Sequence, residues 1–188
     1  MKKVGLIVSA IIALGLAGCS QPKAPTQQTV EQTGTVTLKK NVKVSLSKAW
    51  TTFTTQNAGA AVTGIDLKKA GSGYHYEIEG VDDSTEYELT LDAATGKTVR
   101  KTSEALDADE ANGVKKAADA LTKNGLQTLT EVTDLAEKQV GDGDAYEWSL
   151  EKDSGSTVWQ VLVRHGKTTT EVTIDAYGGE ILKSEVDD

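Results

Sequence analysis

Two kinds of hydrophobic pattern alternate along the chain. Leu46, Ala49, Trp50 and Phe53 fall at i, i+3, i+4 and i+7, the single apolar stripe of an amphipathic helix, and Val114, Ala117, Ala118 and Leu121 repeat that spacing further on. Asn57-Ala58-Gly59 and Asn124-Gly125 follow as stop signals suited to left-handed C-terminal caps. After the first helix comes strict alternation. Tyr74, Tyr76 and Ile78 face one way and His75, Glu77 and Glu79 the other; Tyr87, Leu89 and Leu91 then alternate with Glu86, Glu88, Thr90 and Asp92. This is the pattern of a sheet covered on one side and wet on the other. Asp82-Asp83-Ser84 and Asp92-Ala93-Ala94-Thr95-Gly96 read as hairpin loops, with Gly96 supplying a positive φ.

The pattern occurs twice. Residues 76–99 lie over residues 159–182 without a gap at a shift of 83, and Thr85, Glu88, Thr90, Asp92, Ala93 and Gly96 recur as Thr168, Glu171, Thr173, Asp175, Ala176 and Gly179. The two helix stripes are related by a shift of only 68. The second copy is therefore expected to hold 15 extra residues, placed in "AYEWSLEKDSGSTVWQV", residues 145–161, as an added or lengthened hairpin. The fold class that follows is α+β: two tandem copies of an amphipathic helix packed on a three- to four-stranded antiparallel sheet.

The N-terminus has a different character. Lys2 and Lys3 precede an apolar run from Val4 to Ala17, too short to span a hydrocarbon layer and suited to a secretory signal. Leu16-Ala17-Gly18-Cys19 resembles the bacterial lipobox, and the resemblance implies a diacylglycerol thioether on Cys19 with cleavage immediately before it. The alternative is an ordinary signal peptide with an incidental cysteine. Lipidation also accounts for a single cysteine in an exported chain, where a free thiol calls for explanation. The expected division is a signal peptide over residues 1–18, a lipidated and mostly disordered tether over 19–43, a first domain over 44–104, a linker over 105–112 and a second domain over 113–188. The tether is rich in Gln, Thr and Pro and too poor in apolar residues to fold.

Charge sharpens that division. The chain carries 20 basic and 28 acidic side chains, a net of −8. From Cys19 to Lys43 there are four lysines against Glu31 alone, so the tether is basic and the body strongly acidic. A basic tether favours contact with anionic head groups while the acidic body is held off them, placing the protein on the extracytoplasmic face of the cell membrane with its body projecting outward. Such a body repels phosphate, which sets nucleic acid aside as a partner.

The order of amphipathic helix, strand ending "Y-E-I" or "W-Q-V", and "ELTLDAATGKTV" or "EVTIDAYGGEIL" resembles the PepSY domain. Its strand-turn-strand ending appears as Leu89-Thr90-Leu91-Asp92-Ala93-Ala94-Thr95-Gly96 and as Val172-Thr173-Ile174-Asp175-Ala176-Tyr177-Gly178-Gly179. The resemblance covers residues 44–186. It implies a module found in propeptides of thermolysin-like metallopeptidases and in envelope lipoproteins, restraining peptidases or mediating interactions outside the cell, and it brings no catalytic residues.

The residues themselves offer no convergent chemistry. His75 and His165 fall in different copies without a metal-ligand spacing. With Cys19 acylated there is no thiol nucleophile, and no G-x-S-x-G elbow is present. "DADEANG", residues 107–113, approaches a calcium loop but has Ala111 at the fifth position and Asn112 where glycine belongs, and "GDGDA", residues 141–145, has too few ligands. No cofactor, metal or catalytic residue is expected. Trp148 and Trp159 are the candidate interaction residues, either anchoring a partner or filling the core, while Trp50 belongs to the helix stripe. The expected partners are the membrane, through the lipid, and a protein or peptide, with a peptidase implied by the resemblance. The function expected is a non-catalytic interaction module that restrains or modulates a peptidase; cell-wall polymer binding and an unrecognised hydrolase are the alternatives.

Overall fold

Ser45 opens the first long helix by accepting a hydrogen bond from the Lys48 N–H at 3.2 Å, and the Asn57 N–H closes it on the Phe53 carbonyl. A computed structural model describes residues 33–141 and 143–187. In it the chain runs α1 (Thr33–Asn41), α2 (Leu46–Gln56), β1 (Ala61–Ala70), β2 (Gly73–Val81), β3 (Thr85–Asp92) and β4 (Thr98–Ala105). The second half follows as α3 (Val114–Asp119), α4 (Leu129–Val140), β5 (Asp144–Asp153), β6 (Ser156–His165), β7 (Thr168–Asp175) and β8 (Ile181–Asp187). α2 buries Ala49, Trp50 and Phe53, as its stripe predicts.

The counterpart of α2 is not the stripe at 114–121. α3 has six residues, buries none of them, and leaves Val114 56% exposed. Its apolar members are two alanines and that valine, too little area to hold a helix on a sheet. α4 takes the place instead, opened by a capping box in which Thr128 and Glu131 satisfy one another's backbone N–H groups. Leu46, Ala61, Gly73, Thr85 and Thr98 begin elements whose counterparts begin at Leu129, Asp144, Ser156, Thr168 and Ile181, each 83 positions on. One period thus relates α2 and β1–β4 to α4 and β5–β8, and the expected insertion in residues 145–161 is absent: β5 and β6 are plain equivalents of β1 and β2. Even the bulges repeat, between Val62 and Gly64 and between Ala145 and Glu147.

The eight strands form one antiparallel sheet in the order β4-β3-β2-β1-β5-β6-β7-β8. The α+β class stands, but the two small sheets expected from the repeat are one. They join where Ile65, Asp66 and Leu67 pair with Leu150, Ser149 and Trp148. Each copy's first strand would otherwise be a bare edge, and pairing the two removes both edges at once. α2 and α4 lie on the apolar face, and one continuous core runs beneath them from Leu91 and Ile78 through Leu67 and Trp148 to Val161 and Val172.

The copies also exchange their leading segments. α1, within the stretch expected to be disordered tether, packs against β5 and α4 of the second copy and leaves Leu38 only 5% exposed. Leu121, 83 positions later, is buried in turn, and its N–H donates to the Val62 carbonyl in β1 of the first copy at 2.9 Å. Leu38 in the core, with Val42 and Val44 packed against it, gives this segment apolar contacts that its polar composition does not show. The expectation of a disordered tether is therefore corrected for residues 33–43; the signal segment, Cys19 and the rest of the tether lie outside the described residues.

The repeated Asp-Ala-x-x-Gly ending is a structural clamp. Asp92 Oδ1 accepts from the N–H groups of Ala94 and Thr95, and Gly96 closes the turn at φ 74° by donating to the Asp92 carbonyl at 2.8 Å. Asp175 and Gly179 repeat the arrangement. The fully buried alanine between them works in both directions. Ala93 N–H donates to the Tyr74 carbonyl while its own carbonyl accepts from Lys43 and Val44; Ala176 likewise ties Thr157 to Gln127. The turn thereby fixes the segment that enters each helix.

Candidate functional site

Because the entering segments 38–47 and 121–130 are equivalent and are exchanged between copies, they meet on the helix side of the molecule. A groove of about 560 Å³ opens between them. Its walls are apolar: Leu38 and Val42 from α1 and its exit, Leu46 and Trp50 from α2, and Leu126 and Leu129 at the entry to α4. Tyr76 on β2 also lines it, anchored by its hydroxyl, which donates to the Val44 carbonyl at 2.8 Å; burial holds this phenol well above the ordinary tyrosine range. The polar members of the lining include Lys39, Lys43 and Lys123, and no carboxylate is among them. The first turns of both α2 and α4 border the groove, so the positive ends of two helix dipoles face it.

The uncovered face of the sheet has the opposite sign. Asp66, Glu77, Glu79, Glu147 and Glu151 surround a shallow depression of about 280 Å³ that also includes Ser149 and Gln160. Lys68 bridges Asp66 at 3.0 Å and Glu77 at 2.9 Å. Partial burial raises the carboxyl pKa of Glu79, with the charges of Asp66, Glu86 and Glu88 adding to it. Burial raises that of Glu147 too, where Lys68 opposes and Asp66 and Glu77 reinforce the shift, and that of Glu151, reinforced by Asp66, Asp153 and Glu171.

These shifts fix the sign of a pH dependence. A carboxyl whose folded pKa is raised contributes stability below its unfolded value and loses it as pH climbs through the folded value. Asp82, Asp92 and Glu131 are shifted the other way: Asp82 by the Ser84 backbone N–H, Asp92 by the Thr95 hydroxyl, and Glu131 by the Thr128 backbone N–H. Their contribution is lost as pH falls below the ordinary carboxylate range. The raised carboxyls are therefore expected to lower the thermal midpoint as pH climbs through their folded values, and the lowered ones to lower it as pH falls below the ordinary carboxylate range. Glu79→Gln should flatten the first of these declines and raise the midpoint at pH 7 by roughly 1–3 °C, read by thermal melts across the range. A variant whose midpoint keeps the parent's pH dependence contradicts the assignment.

The candidate residues from sequence fall in different places. Trp148 and Trp159 are 0% and 1% exposed, so neither presents a surface to a partner. Trp148 lies against Tyr74 with ring centroids 6.0 Å apart and donates through Nε1 to the Thr133 hydroxyl at 2.9 Å. The structure places both in the core, the other of the two roles read from the sequence. His75 and His165 sit on β2 and β6 of separate copies, and residues 107–113 form turns in which Asn112 N–H donates to the Asp83 carbonyl at 2.7 Å. Among the described residues, no three His, Cys, Asp or Glu side chains are placed to hold a metal ion. The groove is hidden from sequence reasoning because residues 38–43 read as tether and Asn124-Gly125 as the stop of a helix within the second domain. Its signal was present in Leu38-Lys39-Lys40-Asn41 and Leu121-Thr122-Lys123-Asn124, again 83 apart.

Comparison with known proteins agrees with this architecture. The family model PepSY, the peptidase propeptide and YPEB domain, matches twice, over residues 43–102 and 127–185. A crystal structure of a "putative lipoprotein" from Clostridium difficile 630 is similar at a TM-score of 0.75 and 28% identity, covering 80% of this chain and 97% of its own. A comparison with curated proteins returns no match. Both matches begin at the segment that the Asp-Ala-x-x-Gly clamp ties down and end in the last strand of a half-sheet. These likenesses fit an extracytoplasmic, non-catalytic module. With more than half its length matched in two tandem domains, the chain belongs to the PepSY family.

Proposed function

We propose that this protein is a lipid-anchored module on the outer face of the cell membrane that binds a peptidase of the envelope and restrains or modulates it without catalysing a reaction. The observation that carries the reading is the pair of PepSY domains, a family described by its place in peptidase propeptides. The likeness to a "putative lipoprotein" and the Leu16-Ala17-Gly18-Cys19 sequence support the anchor. Fusion of the copies into one eight-stranded sheet supports a binding role, since it presents broad rigid surfaces.

Anchoring and binding are tested separately. Cys19→Ala is expected to remove the protein from the membrane fraction, leaving it as uncleaved precursor or in the medium; retention with a processed N-terminus at residue 19 refutes the lipid. Crosslinking in intact cells is expected to recover a peptidase whose turnover slows when the purified protein is added back. Recovery of no envelope protein removes the interaction reading, and hydrolysis of casein by the purified protein alone overturns the non-catalytic assignment.

A further inference from the structure

We propose that β8 is a self-pairing edge: two copies of this chain join β8 to β8, antiparallel and centred on Ser184, into one continuous sheet. β8 is the last strand in the sheet order and pairs with β7 alone. Its outward row of N–H and C=O groups is open to a further strand. Leu182 to Val186 are all exposed, Leu182 at 51% and Val186 at 59%. An edge of this kind recruits a partner unless something blunts it.

The partner follows from the order of the side chains. Leu182-Lys183-Ser184-Glu185-Val186 reads apolar, basic, small, acidic, apolar. An antiparallel second copy set about Ser184 places Lys183 across from Glu185 and Leu182 across from Val186, each pairing occurring twice by symmetry. Opposite charges and apolar pairs directly across two strands stabilise their pairing. Within one copy Lys183 and Glu185 hold one another at 2.7 Å with both side chains more than half exposed, and a surface pair of that kind exchanges partners at little cost. Glu185 gains by the exchange. It lies across from Glu171 on β7, a like charge, and a lysine arriving on its other side offsets both.

The opposite edge is defended. β4 is the equivalent strand, and Lys101 stands where β8 has Ser184. The same pairing there would set Lys101 against itself. A register about Thr102 sets Arg100 across from Glu104, but Arg100 already holds Glu88 at 3.3 Å, and the apolar residues then brought together are only Val99 and Ala105. Pairing β8 with β4 of the next copy would leave a bare β8 at one end and run on without closing, whereas β8 with β8 closes as a twofold dimer. The chain already uses the device once. β1 and β5 are equivalents that pair antiparallel about Asp66 and Ser149, themselves 83 positions apart. This inference is independent of the peptidase reading and of the lipid on Cys19.

The test uses the full-length chain carrying Cys19→Ala, followed by sedimentation equilibrium over micromolar concentrations. A monomer–dimer equilibrium is expected. Lys183→Glu and Glu185→Lys should each weaken the dimer about tenfold, and an equimolar mixture of the two variants should recover it, because each then meets the opposite charge in the other. Loss of the pair within one strand cannot produce that recovery. Ser184→Lys, checked for an unchanged circular dichroism spectrum, should also dissociate the dimer, while Thr102→Lys on β4 should not. Ser184→Cys, the only thiol in that background, should close a disulfide between copies under mild oxidation, since Cα atoms directly across an antiparallel pair lie about 4.5–5.5 Å apart. If Ser184→Lys misfolds, the mixing and disulfide experiments decide the matter. A parent chain that stays monomeric throughout, dissociation by Thr102→Lys, assembly beyond the dimer, or charge variants that fail to pair when mixed each overturns the proposal.

Discussion

Phe53→Ala lowers stability by about 3–5 kcal/mol, and does so for both halves of the molecule at once. Phe53 is fully buried in α2, and Gly80 on β2 leaves the space its ring fills: a Cβ added at Gly80 would lie 2.6 Å from Phe53 Cζ and 2.3 Å from the Ala61 carbonyl oxygen. Truncating the ring opens a cavity that the sheet cannot close. In a tandem array of independent domains the second copy would not register the loss. Here the copies share β1–β5 pairing, one core and exchanged leading segments, so one cooperative transition is expected. The measurement is denaturant unfolding in a Trp50→Phe, Trp148→Phe background, where the remaining Trp159, paired with Leu150 and Ile174, reports on the second copy. Its midpoint should fall as far as the midpoint from circular dichroism. A second-copy midpoint that stays put would mean that the fused sheet does not couple the halves.

The same shared core explains what was legible in the sequence and what was not. The hairpin endings repeat visibly because Asp92, Ala93 and Gly96, and Asp175, Ala176 and Gly179, each meet a backbone requirement that few other residues satisfy. The helices repeat invisibly because the copies exchange bulk between layers. Where α2 carries Trp50 and Phe53, α4 carries Thr133 and Ala136; where the first half-sheet carries Ile65 and Gly80, the second carries Trp148 and Val163. A core needs a total volume across facing positions, and either side of the interface can supply it. The apolar spacing of α2 is therefore unbroken in Val114, Ala117, Ala118 and Leu121 but interrupted by Thr133 in α4. The β1–β5 junction was hidden for another reason. Alternation shows which face of a strand is covered, but says nothing about which strand lies beside it. Lys39 and Lys43 were hidden because Leu38 and Val42, which line the groove beside them, are spread thinly through a polar stretch.

Exchange of bulk predicts the second large effect. Trp148→Ala should cost about 3–5 kcal/mol, since the indole is fully buried at the centre of the sheet, against Tyr74 and beside the β1 junction. Part of that cost is polar and can be isolated. Trp148 Nε1 donates to Thr133 Oγ1 at 2.9 Å in a site closed to water, and the same hydroxyl donates to the Leu129 carbonyl at 2.6 Å. Thr133→Val keeps the shape and removes the acceptor, leaving a buried indole N–H unpaired at about 1–3 kcal/mol. In a Trp148→Phe background that penalty should vanish, because no N–H remains to be stranded. A double-mutant cycle read by urea unfolding measures the difference directly. If Thr133→Val costs the same with tryptophan and with phenylalanine at position 148, this hydrogen bond does not hold α4 to β5, and packing alone accounts for the pairing of a small helix residue with a large strand residue in the second copy.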